Sequence, residues 1–211
     1  MTDLLVLHDL GAPGGGEWAA AFADWPGRVL APDLPGHNGT PPPVGGHYEM
    51  GDAVYVALDV LRAAAPEELV VVGVGHNGAA AQILALGGRA AGLALVDGLG
   101  GPWLGPLEID ARLRDMRRRI LATPAAMSAP PTGAADPRAT MVVGAVDREF
   151  AVRQAAAMPV PVLVVETPSS RTPDVDQLVG HFAQATLTHL EARDPKGAAR
   201  LVHSWWTNRQ R

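Results

Sequence analysis

The sequence contains no cysteine, which excludes disulfide bonds, zinc–thiolate sites and cysteine nucleophiles. It has no apolar run long enough to cross a membrane, and its N-terminus lacks the basic and apolar segments of a signal peptide. The chain also lacks an excess of positive charge, since its formal net charge is −5. Nucleic acids and anionic membranes bind basic surfaces. We therefore expect a cytoplasmic protein with no nucleic-acid or membrane partner.

What the sequence does contain is typical of one globular domain. Of its 211 residues, 47% are hydrophobic and 18% are charged, which is enough apolar material for a sizeable core. We expect a single domain over residues 1–211. The abundance of Ala, Gly, Pro and Arg favours a GC-rich bacterial source.

The chain is organised around residues 67–81, EELVVVGVGHNGAAA. Their valine-rich part, 69–72, leads into glycines and then into small residues typical of a helix start. This pattern predicts a buried parallel strand that turns sharply into a helix ending near Leu86. Further strands are predicted at 4–8, 28–33, 93–97, 160–165 and 186–190, and further helices at 18–25, 48–65, 107–121, 147–157, 174–183 and 198–206. Their alternation predicts an α/β fold with a parallel sheet covered on both faces.

Residues 98–158 interrupt this alternation. The predicted helix at 107–121 carries five arginines within residues 112–119, which we interpret as a solvated face rather than an anion site. Residues 123–137 are rich in Pro, Ala, Ser and Gly, and they predict a mobile loop. We interpret 98–158 as a lid inserted between two core strands, not as a second domain.

Five short segments together resemble the α/β-hydrolase superfamily. Residues 5–11 are similar to its strand and His-Gly oxyanion loop, and 31–39 to its D-x-P-G-x-G turn. Residues 74–77 resemble V-G-H-S, while 92–97 and 161–165 resemble two later strands. The usual first two strands are missing. The resemblance implies a reduced α/β-hydrolase fold, a three-layer α/β/α sandwich of about six mostly parallel strands with a small helical lid.

The positions of the catalytic triad are not filled as acyl transfer requires. In the better register of the family's G-x-S-x-G turn, Asn77 replaces the serine, and the alternative register places Gly75 there. Ser170 stands at the acid position. Residues 190–195 run directly into the last helix where a Gly-His loop normally supplies the base. The resemblance thus implies the fold without conventional hydrolysis.

The remaining ionisable residues are poor substitutes for the triad. Asp97 follows a strand where some family members carry the acid, but a capping role is commoner there. We expect Glu166 and Asp174 to be solvated loop acids. Three histidines have structural interpretations: His8 ties buried loops together, His181 lies on a helix, and His189 alternates along the last strand.

The catalytic candidates are Asp9, His76 and Asn77, which would form a polar cluster where open α/β sheets bind ligands. The resemblance places Asp9 where glycine usually opens the oxyanion hole, and we take Leu10 and Gly78 as ligand-binding candidates. The Asp9 carboxylate would repel an oxyanion, yet burial would raise its pKa toward that of a general base. Alternatively, Asp9 caps a local turn, and His76 is commonly a packing residue.

Three functions are open on this sequence. The first is a pseudo-hydrolase that binds an apolar or carbonyl-bearing small molecule; the second is an atypical lyase, isomerase or cyclase; the third is a hydrolase that activates water. A closed pocket would favour the first, and a deep pocket where Asp9 and Asn77 converge would favour chemistry. Residues 14–16 lack the P-loop ending and the dinucleotide spacing, so we expect a flexible loop there and no cofactor or metal. The oligomeric state is left open.

Overall fold

The computed structural model describes residues 1–44, 46, 48–124, 128–141, 146–168 and 174–210. Within them, the strands are β1 (Thr2–Leu7), β2 (Val29–Leu30), β3 (Glu68–Val74), β4 (Gly92–Val96), β5 (Trp103–Leu104), β6 (Val146–Asp147), β7 (Val162–Glu166) and β8 (Ala185–His189). The α-helices are α1 (Gly16–Ala21), α2 (Met50–Ala64), α3 (Gly78–Leu86), α4 (Pro106–Ala122), α5 (Arg148–Ala156), α6 (Val175–Val179) and α7 (Pro195–Arg209). Two short 3-10 turns cover Gly75–Asn77 and Ala139–Met141.

Six strands form one parallel sheet in the order β2-β1-β3-β4-β7-β8. The register places Leu5 opposite Val71 and Leu95 opposite both Gly73 and Val164. The prediction of about six mostly parallel strands is therefore confirmed. Strand β2 is much shorter than the predicted 28–33, because only its two residues pair with β1.

The sheet has a hydrophobic layer on each face, because successive side chains of a strand point to opposite sides. On one face, Leu5 and Leu7 of β1 pack with buried residues of α2, α3, α5 and α6. On the other face, Leu4 and Val6 pack with buried residues of α1 and α7, including Trp18 and Trp206. The result is the predicted three-layer α/β/α sandwich.

Three helices differ clearly from the prediction. Helix α1 was predicted over 18–25 but ends at Ala21. Helix α6 was predicted over 174–183 but ends at Val179, where Gly180 follows and the chain turns toward β8. Helix α7 begins at Pro195, three residues before the predicted start. Proline suits this first position, since its missing N–H would have no partner there.

Residues 98–158 are attached to the core at both ends. Strands β5 and β6 form a small parallel sheet, and Ala151 and Ala155 of α5 belong to the main core, whereas α4 has no buried residue. The described part of the predicted mobile loop is held in place: Asn38 N donates to Ala134 O over 2.8 Å, and Asp136 N donates to Gly36 O over 2.7 Å. The described part of this loop is thus hydrogen-bonded to the core, and its mobility stays a prediction.

Candidate functional site

The turn between β3 and α3 differs from the expected one. Gly75, the first residue after β3, has φ +55°, whereas Asn77 has a right-handed backbone with φ −74° and ψ −1°. The left-handed residue of the turn is therefore Gly75, the central residue of the alternative register 73–77. Glycine adopts this conformation without strain. Gly73 is also required, because a Cβ there would lie 2.6 Å from Ala81 Cβ.

Asn77 holds two loops together. Only 1% of its surface is exposed, and its Nδ2 donates to His8 O over 2.5 Å. A carboxamide nitrogen is a delocalised donor with no lone pair to offer, and this one is already bound. Asn77 therefore lies at the predicted site, but its geometry gives it a structural role.

His8 lies beneath this turn and is fully buried. Its Nε2 accepts a hydrogen bond from Leu34 N over 3.2 Å, and its Nδ1 lies 2.9 Å from Asp9 O. The ring is therefore the Nδ1-protonated tautomer, with one donor and one acceptor used. Burial lowers the pKa of His8 to about 4, so the ring is neutral near pH 7. His8 ties buried loops together, as predicted.

The Asp9 carboxylate, from the loop after β1, contacts the turn between β3 and α3. Its Oδ1 accepts hydrogen bonds from Leu10 N over 2.9 Å and from His76 N over 3.3 Å, and it lies 3.5 Å from His76 Nδ1. The Asp9 side chain also fills the space in front of Gly75, where any Cβ would overlap its carboxylate. The structure thus brings together Asp9 and His76, two members of the predicted cluster, whereas the Asn77 side chain donates to His8 O instead.

The electrostatics of Asp9 differ from the expectation for a general base. Burial acts to raise the pKa of Asp9, but the hydrogen bonds from His76 and Leu10 and the charge of the His76 ring act in the opposite direction. The net pKa lies below the ordinary value for aspartate. A carboxylate shifted in this direction is a weaker base, whereas a general base at neutral pH needs a raised pKa.

The two ligand-binding candidates already have partners for their N–H groups. Leu10 N donates to Asp9 Oδ1, and Gly78 N donates to Gly75 O and His76 O inside its own turn. Gly78 is instead a packing residue, because a Cβ there would lie 2.8 Å from Gly100 N. Gly78 therefore has no free donor for a ligand.

A small cavity lies beside the turn. Leu10, Leu34, Tyr48, Met50 and Asn77 are among its lining residues, and its volume is about 10 Å³. A site of this size holds one water molecule at most, since a single water needs about 10–15 Å³. The cavity beside the turn is therefore too small for a substrate-sized molecule.

Arg193, not a histidine, faces the acid that follows β4. Asp97 has φ +63°; its Oδ1 accepts a hydrogen bond from the Thr167 hydroxyl, and its Oδ2 lies 3.5 Å from Arg193 Nε. An arginine cannot take a proton from a nucleophile, because it is always protonated in proteins.

Glu166 ends β7 with 4% of its surface exposed, which corrects the expectation of a solvated loop acid. Ser170 lies outside the described residues.

The other candidate residues lie away from the turn. His189 is exposed at the end of β8 and Asp174 is exposed before α6, as predicted. His181 lies in the turn after α6 rather than on a helix. Gly14 and Gly15 are closely packed, and Gly15 N donates to Asp33 Oδ1 over 2.7 Å, whereas Gly16 is exposed.

A sequence model of the alpha/beta hydrolase family matches residues 4–209. The chain belongs to the alpha/beta hydrolase family. A search among curated proteins found no match.

Solved structures share the fold of this alpha/beta hydrolase. A hydrolase from Pseudomonas aeruginosa is 23% identical, with a TM-score of 0.68 over 97% of this chain and 89% of that one. NosK from Streptomyces actuosus is 20% identical, with a TM-score of 0.67 over 98% of both chains. A thermophilic esterase from Thermogutta terrifontis is 17% identical, with a TM-score of 0.72 over 99% of this chain and 90% of that one. Likeness at this level shows the fold alone.

Two features of this alpha/beta hydrolase were missed from its sequence. Tyr48 donates to Asp136 Oδ2 over 2.6 Å, a contact between residues 88 positions apart that no local pattern predicts. The Asp97–Arg193 pair was missed as well, although an arginine in the shortened loop after β8 is a usable signal. Among the described helices, none is both long enough and apolar enough to cross a membrane.

Proposed function

We propose that this alpha/beta hydrolase is a pseudo-hydrolase, which binds a small apolar molecule without forming an acyl-enzyme. The observation that carries the proposal is the turn after β3, where Gly75 has no side chain and the Asn77 amide is bound to His8 O. Acyl transfer requires a side-chain nucleophile with a base in reach. Arg193 next to Asp97 supports the same conclusion, because it provides no base.

The small cavity is consistent with a binding or accessory role. Its volume of about 10 Å³ leaves no room for a substrate, so a ligand enters only if the surrounding residues move. We take residues 98–158 as a lid, since Asp136 within them contacts Tyr48 on the rim of the cavity. Leu34, Met50 and Leu10 make the wall mainly apolar, which supports an apolar ligand.

The test uses a fluorophosphonate probe and p-nitrophenyl acetate on the wild-type chain and on Asn77→Ser. We expect the intact mass of both proteins to stay unchanged and no burst of nitrophenol, because neither protein has a base in place to activate a hydroxyl. The variant is the matched control, since it restores the serine of the family motif. One probe molecule bound per chain within residues 73–78 would overturn the proposal.

A second candidate function rests on the Asp9–His76 pair. Asp9 Oδ1 lies 3.5 Å from His76 Nδ1, and the two side chains are 25% and 36% exposed. A carboxylate on Nδ1 orients an imidazole and leaves Nε2 for proton transfer, as in a lyase or isomerase. A co-purified small molecule, identified by mass spectrometry, distinguishes binding from catalysis. If the protein only binds this molecule, the molecule stays chemically unchanged. If the Asp9–His76 pair is catalytic, the wild type converts the molecule and His76→Gln does not.

A further inference from the structure

Two backbone N–H groups converge on one oxygen at the carboxyl edge of the sheet. Leu10 N follows β1 and His76 N follows β3, and they lie 2.9 Å and 3.3 Å from Asp9 Oδ1. The His76 ring adds a third nitrogen at 3.5 Å. Donors from separate segments that point at one place form a preorganised site for negatively charged oxygen.

The occupant of this place belongs to the chain itself. Asp9 Oδ1 takes both N–H groups, and the rest of its carboxylate fills the space in front of Gly75, where a side chain on the turn would otherwise project. A quarter of the Asp9 side chain is exposed, so the site is open to solvent on one side. Removing the side chain beyond Cβ would therefore leave an accessible hole the size of a carboxylate.

We propose that Leu10 N, His76 N and the His76 ring form an anion site that Asp9 occupies from within the chain, excluding external carboxylates, and that this site accepts a small carboxylate once the Asp9 side chain is removed. This inference rests on the proposed function, because a hole filled by the chain's own carboxylate has no donor left for a reacting carbonyl. It also narrows the ligand class. A natural ligand that approaches this turn meets a negative charge, so it is neutral or a hydrogen-bond donor there, not a carboxylate.

The experiment compares Asp9→Ala with Asp9→Asn in sodium formate and in sodium chloride at equal ionic strength. The asparagine variant is the matched control, because its Oδ1 still accepts from both N–H groups and keeps the hole filled. We expect formate to raise the Tm of Asp9→Ala by several degrees in a saturable way and to shift its Leu10 and His76 amide signals. A ligand of three heavy atoms has an affinity ceiling near a Kd of about 1 mM, so the titration extends to about 100 mM. Wild type and Asp9→Asn should respond alike to both salts.

Two results would overturn the inference. One is an Asp9→Ala protein that formate does not stabilise more than chloride; the other is equal stabilisation of all three proteins. If Asp9→Ala does not fold, acid titration of the wild-type protein tests the inference instead. The NMR signals of the Leu10 and His76 amide protons should then shift together as Asp9 protonates. His76 is the titratable side chain in contact with Asp9. Different titration midpoints for the two amide signals would refute the shared site. Fluorophosphonate labelling of the wild type would refute the proposed function alone, so the two failures are distinguishable.

Discussion

At the scale of single residues, the polar groups around the turn bind one another. Asn77 donates to His8 O, Asp9 accepts from Leu10 and His76, and each group a reaction would use already has a partner in the chain. Buried polar groups left without partners are costly, so this pairing stabilises the fold around the turn.

The buried His8 makes stability depend on pH. Its pKa is about 4 in the folded chain and about 6.5 when unfolded, so the unfolded chain binds the proton first as the pH falls. His8 therefore contributes its full stabilisation above pH 6.5 and loses it progressively between pH 6.5 and pH 4. Between pH 7 and pH 5, we expect the free energy of unfolding to fall by about 2 kcal/mol through this residue.

Urea unfolding at pH 7 and pH 5 measures this effect by comparing wild type with His8→Gln. The variant should be less stable at pH 7 yet lose about 2 kcal/mol less on acidification. The control is His189→Gln, because His189 is exposed and should leave the pH dependence unchanged. Equal pH dependence in wild type and His8→Gln would contradict the assignment.

At the scale of elements, the close contact of β3 with α3 depends on a missing side chain. A Cβ on Gly73 would lie 2.6 Å from Ala81 Cβ and 2.7 Å from Asn77 O, whereas a Cβ on Gly16 would meet nothing within 4 Å. Gly73→Ala should lower the free energy of unfolding by about 1–3 kcal/mol, because the helix must move away from the strand. Gly16→Ala should change it by less than about 0.5 kcal/mol. The urea unfolding midpoints of the two variants measure this difference. A Gly73→Ala protein as stable as Gly16→Ala would show that the strand and the helix can separate at little cost in free energy.

The sequence predicted elements well and the turn poorly, for a physical reason. Strands such as β3 and β4 are continuous apolar runs buried on both faces, and such runs can be recognised in the sequence alone. The turn was assigned from the letters Gly-His-Asn-Gly, which match the family motif around Asn77. Its backbone instead places the positive φ at Gly75, because strand length and helix packing set where the chain turns. Asp9 contacts this turn, but the direction of its pKa shift depends on N–H groups that meet only in the folded chain.

At the scale of the whole molecule, a segment in the middle of the insertion adds contacts to the core beyond those of α5. We call this segment, residues 128–141, the strap. Gly133 N donates to Asn38 Oδ1 over 2.8 Å, Asp136 N donates to Gly36 O, and the Arg138 side chain donates from Nε to Thr123 O over 2.7 Å at the end of α4. The strap therefore links the exposed helix α4 to the loop beside the cavity.

We expect the hydrogen bond between Tyr48 and Asp136 to hold the strap against the core. Asp136 is 2% exposed and accepts from the Tyr48 hydroxyl over 2.6 Å; burial and this carboxylate both raise the pKa of Tyr48. Tyr48→Phe removes the donor and leaves a buried carboxylate oxygen without it, which costs about 1–3 kcal/mol. We expect this cost to favour local opening of the strap over global unfolding, since few apolar contacts hold a segment of this kind.

Amide hydrogen exchange tests this local opening. In Tyr48→Phe, protection of the Asp136 and Asn38 amides should fall by about ten- to a hundredfold, because each 1.4 kcal/mol is a factor of ten in the opening equilibrium, while amides in the centre of β3 keep their wild-type protection. Tyr55→Phe is the matched control: Tyr55 lies on α2 with 71% of its surface exposed, and its hydroxyl should not matter. If β3 loses protection to the same extent as the strap, Tyr48 stabilises the whole fold and the strap does not open as a separate unit. If neither region changes in Tyr48→Phe, the hydrogen bond does not hold the strap closed.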